Sequence, residues 1–113
     1  MLPKQYRLVR DRDFKIIFQK GRSFFIKEFG IKSLKNNLNF SRFGFIISNK
    51  IAKKANKRNL IKRRLREIIR KNLPNIKKGF DFLIIARPEI KDLKFQKIKE
   101  KIEMVLKQIR VLN

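Results

Sequence analysis

The sequence predicts one compact domain of mixed α and β structure. The chain has 113 residues, 42% of them apolar, which is enough for a single buried core but too short for two. Several segments repeat their apolar residues at the spacing of one helix face, and several short runs are rich in branched and aromatic residues, as strands are. We therefore expect one ordered domain over residues 1–113 rather than a disordered chain.

The first element is predicted to be a short helix. Asp11 is a suitable N-cap, Asp13 suits the positive end of the helix dipole, and Gly21 supplies a stop. The apolar side of this helix is formed by Phe14, Ile17 and Phe18.

Three segments read as strands. Between Ser23 and Leu34 the apolar residues Phe29 and Ile31 alternate with Gly30 and Lys32, which suits a strand. Residues 42–48 are dense in aromatic and branched side chains. The clearest strand runs from Phe80 to Ala86, is bounded by Gly79 and Pro88, and is expected at the centre of its sheet.

Two further helices are predicted. Residues 56–72 show helical periodicity and end before Pro74, while Asp92 is a candidate N-cap for a long last helix. The buried side of the first is expected to hold Leu60, Ile61, Leu65, Ile68 and Ile69. The apolar stripe of the second is formed by Phe95, Ile98, Ile102, Val105, Leu106 and Ile109.

Composition restricts the function. Thirty-two Lys and Arg against nine Asp and Glu give a net charge of +23, which calls for a polyanionic partner. The absence of Cys and His excludes thiolate nucleophiles, imidazole bases and the usual zinc sites. The acidic residues are scattered, so we expect neither a catalytic residue nor a metal site in the protein. No apolar run is long enough for export or membrane spanning, so the cytoplasm is the expected location.

The most informative segment is the basic run between Lys50 and Lys71, where eleven Lys or Arg accompany a single acidic residue, Glu67. Asn59, Arg63, Arg66 and Arg70 follow one another at steps of four, three and four residues, which places them on one face, opposite the apolar side. Solvated helix faces normally mix Glu with Lys, whereas like charges repel unless an anion is bound. We expect this face to dock on nucleic acid; charge alone does not separate RNA from DNA.

The spacing in this segment, Lys50-Ile51-x3-Ala55-x2-Arg58-Asn59-x2-Lys62-Arg63-x2-Arg66-Glu67, resembles the signature of the bacterial ribonuclease P protein family. Two other stretches also resemble that family: Asp13-Phe14-x3-Phe18-x2-Gly21, and the strand from Asp81 to Ala86 with the following Arg87 and Pro88. The resemblance therefore covers nearly the whole chain.

The resemblance implies an α+β fold, a two-layer sandwich like domain 2 of ribosomal proteins. It has a four-stranded mixed sheet, three helices and a left-handed βαβ crossover, against the usual right-handed preference. The fourth strand would lie near Ser23–Ile26, where the sequence signal is weaker.

The resemblance also implies a function. Proteins of this family bind a catalytic RNA and the single-stranded 5′ leader of precursor tRNA, and the RNA removes the leader with Mg²⁺. The protein alone would bind no cofactor, no small-molecule substrate and no membrane. By similarity, the RNA-binding positions are Lys50, Lys53, Lys54, Lys57, Arg58, Asn59, Lys62, Arg63, Arg66 and Arg70.

The positions that match the family's leader cleft are Phe14, Phe18 and Lys32. An i, i+4 Phe pair on a short helix also fits plain core packing, so the exposure of Phe14 and Phe18 stays open. Lys32 stands where relatives can carry an aromatic residue, which would replace stacking by a phosphate contact.

Two other classes remain open on sequence grounds. A ribosomal or other structural RNA-binding protein would share the charge and the basic helix but need no single-strand cleft. A basic amphipathic helix can also lie on anionic lipid, although here its apolar side is required for packing on the strands.

Overall fold

The computed structural model describes residues 2–112 as a four-stranded sheet with helices on both of its faces. The elements are α1 (Asp11–Lys20), β1 (Arg22–Phe25), β2 (Phe29–Lys35), β3 (Arg42–Ile46), α2 (Ala55–Asn72), β4 (Phe80–Ala86) and α3 (Phe95–Gln108). Short 3₁₀ helices occupy Lys4–Tyr6, Leu73–Asn75 and Pro88–Asp92. The predicted α+β fold class, with three helices and four strands, is confirmed.

The sheet has the strand order β1-β2-β4-β3. Strand β4 is central, as predicted, and pairs antiparallel with β2 and parallel with β3, so the sheet is mixed. Parallel neighbours need a crossover, and α2 makes the one between β3 and β4. The left-handed sense of this crossover stays a prediction.

The two faces of the sheet carry different helices because neighbouring strand residues point to opposite sides. On one face Phe82 and Ile84 pack with the buried sides of α2 and α3, forming the main core. On the other face Leu83 packs with Ile17 of α1, and the half-buried Ile85 lies beside them. Helix α1 covers only part of this second face and leaves Phe25, at its outer edge, exposed.

The structure corrects two predicted helix caps. Asp11 is the first residue of α1 rather than its cap, which is Arg10; its carboxylate still lies in the first turn, where the helix dipole favours it. Asp92 ends the 3₁₀ helix that Pro88 begins, and the cap of α3 is Lys94. Because proline suits the first position of a helical turn, the segment before α3 forms its own short helix.

The segment over residues 23–34 contains two strands, β1 and β2, joined by a short turn, as the expected fourth strand near Ser23–Ile26 requires. The weaker strand signal near Ser23–Ile26 thus marks a separate edge strand, β1. Among the described residues, no helix is both long and apolar enough to cross a membrane.

Candidate nucleic-acid interface

Helix α2 buries one side and leaves cations on the other. Ile61, Leu65, Ile68 and Ile69 are buried, while Arg63 on the opposite side is exposed. Leu60, predicted to be on the buried side, is instead 40% exposed. It lies about 100° around the helix from Ile61, at the margin of the side that contacts the sheet.

The predicted binding residue Arg70 forms an ion pair within α2. Its Nε and Nη2 donate to the two carboxylate oxygens of Glu67 at 3.0 and 2.6 Å. The hydrogen bonds from Arg70 lower the pKa of Glu67 to about 2. Part of the charge of Arg70 is therefore already balanced, and its guanidinium group is less free for phosphate than that of Arg63.

Arg58 shapes the segment that leads into α2. Its Nη1 donates to the carbonyl oxygens of Ala52 and Lys53 at 2.9 and 2.7 Å. These bonds hold the lysine-rich approach against the first turn of the helix. Arg58 thus orders the backbone on which the neighbouring lysines stand.

The lysines just before α2 and in its first turn line an open groove of about 630 Å³ between the start of α2 and the segment before α3. Lys53, Lys54 and Lys57 stand at this groove, and the exposed Leu60 forms part of its wall. Lys50 and Asn59 are exposed as well. The predicted binding residues are therefore spread along α2 and its approach, from Lys50 to Arg70.

A small cavity of about 180 Å³ brings two predicted sites together. Lys62 and Arg66 of α2 line it together with Phe14 of α1 and Arg7. The edge of the basic helix and the start of the predicted leader cleft are therefore contiguous, which the sequence did not indicate.

Arg66 is partly buried at this cavity. Its Nε is buried and has no hydrogen-bond acceptor among residues 2–112. Burial together with the charge of Arg7 lowers the pKa of its guanidinium group. A buried donor without an acceptor is unfavourable, and so are two facing cations. An anion in this cavity would relieve both.

Phe14 and Phe18 differ in their surroundings. The Phe14 ring lies on Gly44, where an added β-carbon would come within 2.6 Å of its Cε1 atom, and Phe14 is half-buried. Phe18 is 46% exposed. Phe14 therefore forms a wall of the cavity, and Phe18 presents its ring to solvent.

Lys32 is fixed beside Phe18. Its Nζ donates to the carbonyl oxygen of Phe18 at 3.2 Å and stands 5.3 Å from the centre of the Phe18 ring. This distance suits a cation–π contact. The ammonium group is held at the surface of the uncovered sheet face, where a phosphate could reach it.

The position of Arg7 beside Arg66 was not predicted from the sequence. Arg7 pairs with Phe43 as an isolated parallel bridge at the outer edge of β3, and its Nε donates to the carbonyl oxygen of Leu2 at 2.9 Å. Its place beside Arg66 depends on contacts between distant segments, for which the local sequence carries no signal.

The comparisons with known proteins agree with this geometry. Residues 2–110 match the family model described as Ribonuclease P. The chain belongs to the ribonuclease P protein family. A ribonuclease P protein component of Thermotoga maritima is 37% identical over 110 residues, covering 94% of this chain and 93% of that protein. One from Streptococcus pneumoniae is 34% identical, covering 97% and 89%.

Solved structures of ribonuclease P proteins share the fold. The Staphylococcus aureus RNase P protein superposes with a TM-score of 0.88 at 33% identity, covering 96% of this chain and 98% of that one. The Thermotoga maritima RNase P protein gives a TM-score of 0.83 at 37% identity, covering 90% and 96%. The resemblance inferred from the motif around Arg58 and Arg66 is confirmed.

Proposed function

We propose that this chain is the protein subunit of ribonuclease P, which binds the catalytic RNA through α2 and its approach and holds the 5′ leader of precursor tRNA in the cleft beside α1. The observation that carries this proposal is the cavity shared by Lys62, Arg66 and Phe14. It joins a cationic helix edge to an aromatic wall, and an RNA strand presents both phosphates and unpaired bases.

The catalytic RNA would dock on the exposed cations of α2 and the groove before it. Arg63 offers a planar guanidinium group for phosphate, and Lys53, Lys54 and Lys57 act as point charges around the groove. The unsatisfied Nε of Arg66 supports an anionic contact at the point where helix and cleft meet.

The leader would lie along the sheet face that α1 leaves open. Phe18 offers an exposed ring and Lys32 a fixed ammonium group beside it. Stacking on an aromatic ring tolerates any base, which suits a leader of variable sequence.

Cleavage is assigned to the RNA. Among residues 2–112, no three acidic side chains stand close enough together to hold a metal ion. We place Mg²⁺ with the RNA of the holoenzyme and the protein in the cytoplasm beside precursor tRNA. The protein would add affinity for the leader-bearing substrate and stabilise the folded RNA by supplying positive charge.

The test is reconstitution. The protein is mixed with a bacterial ribonuclease P RNA at low magnesium, and cleavage of a precursor tRNA is followed, with protein alone and RNA alone as controls. We expect stimulation by the full chain, much less by Arg63→Ala with Arg66→Ala, and full stimulation by Lys107→Ala, which removes an exposed cation from α3.

The substrate half of the proposal is tested separately with the same holoenzyme. Precursor tRNA should bind more tightly than mature tRNA, and the difference should disappear when the protein is omitted. If the protein stimulates cleavage but gives no preference for precursor over mature tRNA, leader recognition is refuted and the protein has only a structural role in binding the catalytic RNA.

A further inference from the structure

Phe25 is the last residue of β1 and is opposite Gly30 of β2. A β-carbon at Gly30 would overlap the ring of Phe25. The ring therefore lies across the backbone of β2, on the side to which a residue at position 30 would point. Only glycine leaves room for this arrangement.

The side in question is the face that α1 partly covers. Gly30 pairs with Ile85 of β4, and Ile85 pairs with Ile46 of β3. Both isoleucines are half-buried against the α1 cluster. Phe25 extends this apolar strip to the outer edge of the sheet, beyond the part that α1 covers.

The ring is held in place and yet remains in contact with solvent. Phe25 is 47% exposed, whereas Phe29, at the start of β2, is 1% exposed. Exposing a large aromatic ring forfeits the free energy that its burial would provide. A ring that is fixed against a backbone and left open on its outer side is suited to stacking.

Lys32 stands on the same side of β2 as the ring. It is two residues beyond Gly30, about 7 Å along the strand, and its ammonium group lies 5.3 Å from the Phe18 ring. The open face therefore presents an aromatic ring, a cation and a second aromatic ring in a row.

The chemistry of this row matches a single RNA strand. Unpaired bases stack on aromatic rings, and the phosphates between them pair with cations. Arg22, the first residue of β1, and Lys27, two residues after Phe25, are both exposed, so an anionic partner is favoured over an apolar or cationic one.

We infer that Phe25 is a second stacking platform for the precursor-tRNA leader, receiving an unpaired nucleotide while Phe18 receives another and Lys32 holds the phosphate between them. This rests on the proposed leader-binding function. The edge strand β1 would then contact the leader directly, and Phe25 would add one nucleotide to the length of leader that the protein binds.

The experiment measures dissociation constants of the reconstituted holoenzyme for mature tRNA and for precursors whose leaders lengthen by one nucleotide at a time. Phe25→Ala removes the ring, Phe25→Leu keeps apolar bulk without a π face, and Phe25→Trp enlarges the face. Met104→Ala, which removes a side chain that is 44% exposed on α3, is the matched control.

We expect the Ala and Leu variants to lose about tenfold in affinity for long leaders, the order of one stacked base, with mature tRNA unaffected. The loss of affinity should first appear when one particular leader nucleotide, or that nucleotide and the next, is added. Phe25→Trp and Met104→Ala should retain wild-type affinity. A 2-aminopurine at the critical leader position should be quenched by the wild-type protein and not by Phe25→Leu.

The outcomes separate the two proposals. If the wild-type holoenzyme shows no preference for a leader, the proposed function fails. If the preference exists and Phe25→Leu retains all of it, the assignment of Phe25 fails alone. Equal weakening of mature and precursor tRNA would mean that Phe25 supports the fold or contacts another macromolecule, and it would overturn the inference.

Discussion

The guanidinium group of Arg42 forms a two-pronged contact with the carboxylate of Asp81, Nε to Oδ1 at 2.9 Å and Nη2 to Oδ2 at 2.7 Å. Asn36 also donates to Oδ1, at 2.8 Å. This contact joins the first residue of β3 to the central strand β4, and its hydrogen bonds raise the pKa of Arg42 above its ordinary value. The contact therefore stabilises the pairing of the parallel strands β3 and β4 at the end where both strands begin.

Replacing Asp81 by asparagine should therefore destabilise the fold. Asp81 is 6% exposed, and the loss of its charge leaves Arg42 without its main partner. We expect the free energy of unfolding in urea to fall by about 2 kcal/mol, since removing one partner of a partly buried pair is costly. Asp11→Asn, at an exposed position, is the control; an equal effect at both sites would contradict the assignment.

Arg63 and Arg66 should contribute alike to RNA binding but differently to stability. In the plot of log affinity against log salt concentration, each alanine variant should be shallower by roughly 0.7–0.9 if one phosphate contact is lost. Arg66→Ala also removes a cation that faces Arg7 and a buried donor without an acceptor.

The free Arg66→Ala protein should therefore melt no lower than the wild type. Thermal unfolding without RNA measures this. A large drop in Tm would show that Arg66 supports the core rather than the RNA contact, and an unchanged salt slope for both variants would remove them from the interface.

Phe14→Ala and Phe18→Ala, made singly, should have different effects on stability and on substrate binding. Phe14 packs on Gly44 and is half-buried, so its loss should lower the free energy of unfolding by about 2 kcal/mol. Phe18 is 46% exposed. Its loss should leave the free energy of unfolding nearly unchanged and weaken only the binding of leader-bearing precursor tRNA. Urea unfolding measures stability, and tRNA binding by the holoenzyme measures substrate affinity. A larger loss of stability for Phe18→Ala than for Phe14→Ala would refute the placement of both rings.

The carboxylate of Glu67 should titrate far below the ordinary range. Its hydrogen bonds from Arg70 lower the pKa to about 2, so the group remains charged as the pH falls from 5 to 3. A depressed folded-state pKa contributes stability that is present above the unfolded pKa and is lost as the pH falls towards 2. At this exposed site the contribution is small.

The titration midpoint can be followed by NMR of the Glu67 side-chain carbon. Arg70→Ala should return the midpoint towards 4.5, the ordinary value for glutamate. A wild-type midpoint already near 4.5 would mean that the ion pair does not persist in solution.

The sequence predicted those parts of the fold that depend on local periodicity. Strand β4 has the predicted bounds, Phe80 and Ala86, because an apolar run between glycine and proline specifies a buried strand. Helix α2 begins one residue before its predicted start. The wrong cap at Asp92 arose because Pro88 begins a separate 3₁₀ helix, which competes with the cap for the same residues.

The contacts between distant segments could not be predicted in this way. Arg7 reaches Arg66 only because residues 7 and 43 pair at the sheet edge, and the Phe25 ring depends on the absence of a side chain at Gly30. Helical spacing could say that α2 has a cationic side, but it could not place that side against Phe14. Shared cavities depend on tertiary packing, about which single-sequence patterns carry little information.

Under the proposed function, the cavity between α2 and α1 fixes the distance between two RNA contacts. Lys62, Arg66 and Phe14 line it together, on helices packed against one sheet. The contact with the catalytic RNA and the contact with the leader would therefore keep the same separation in every precursor tRNA, whatever bases its leader carries.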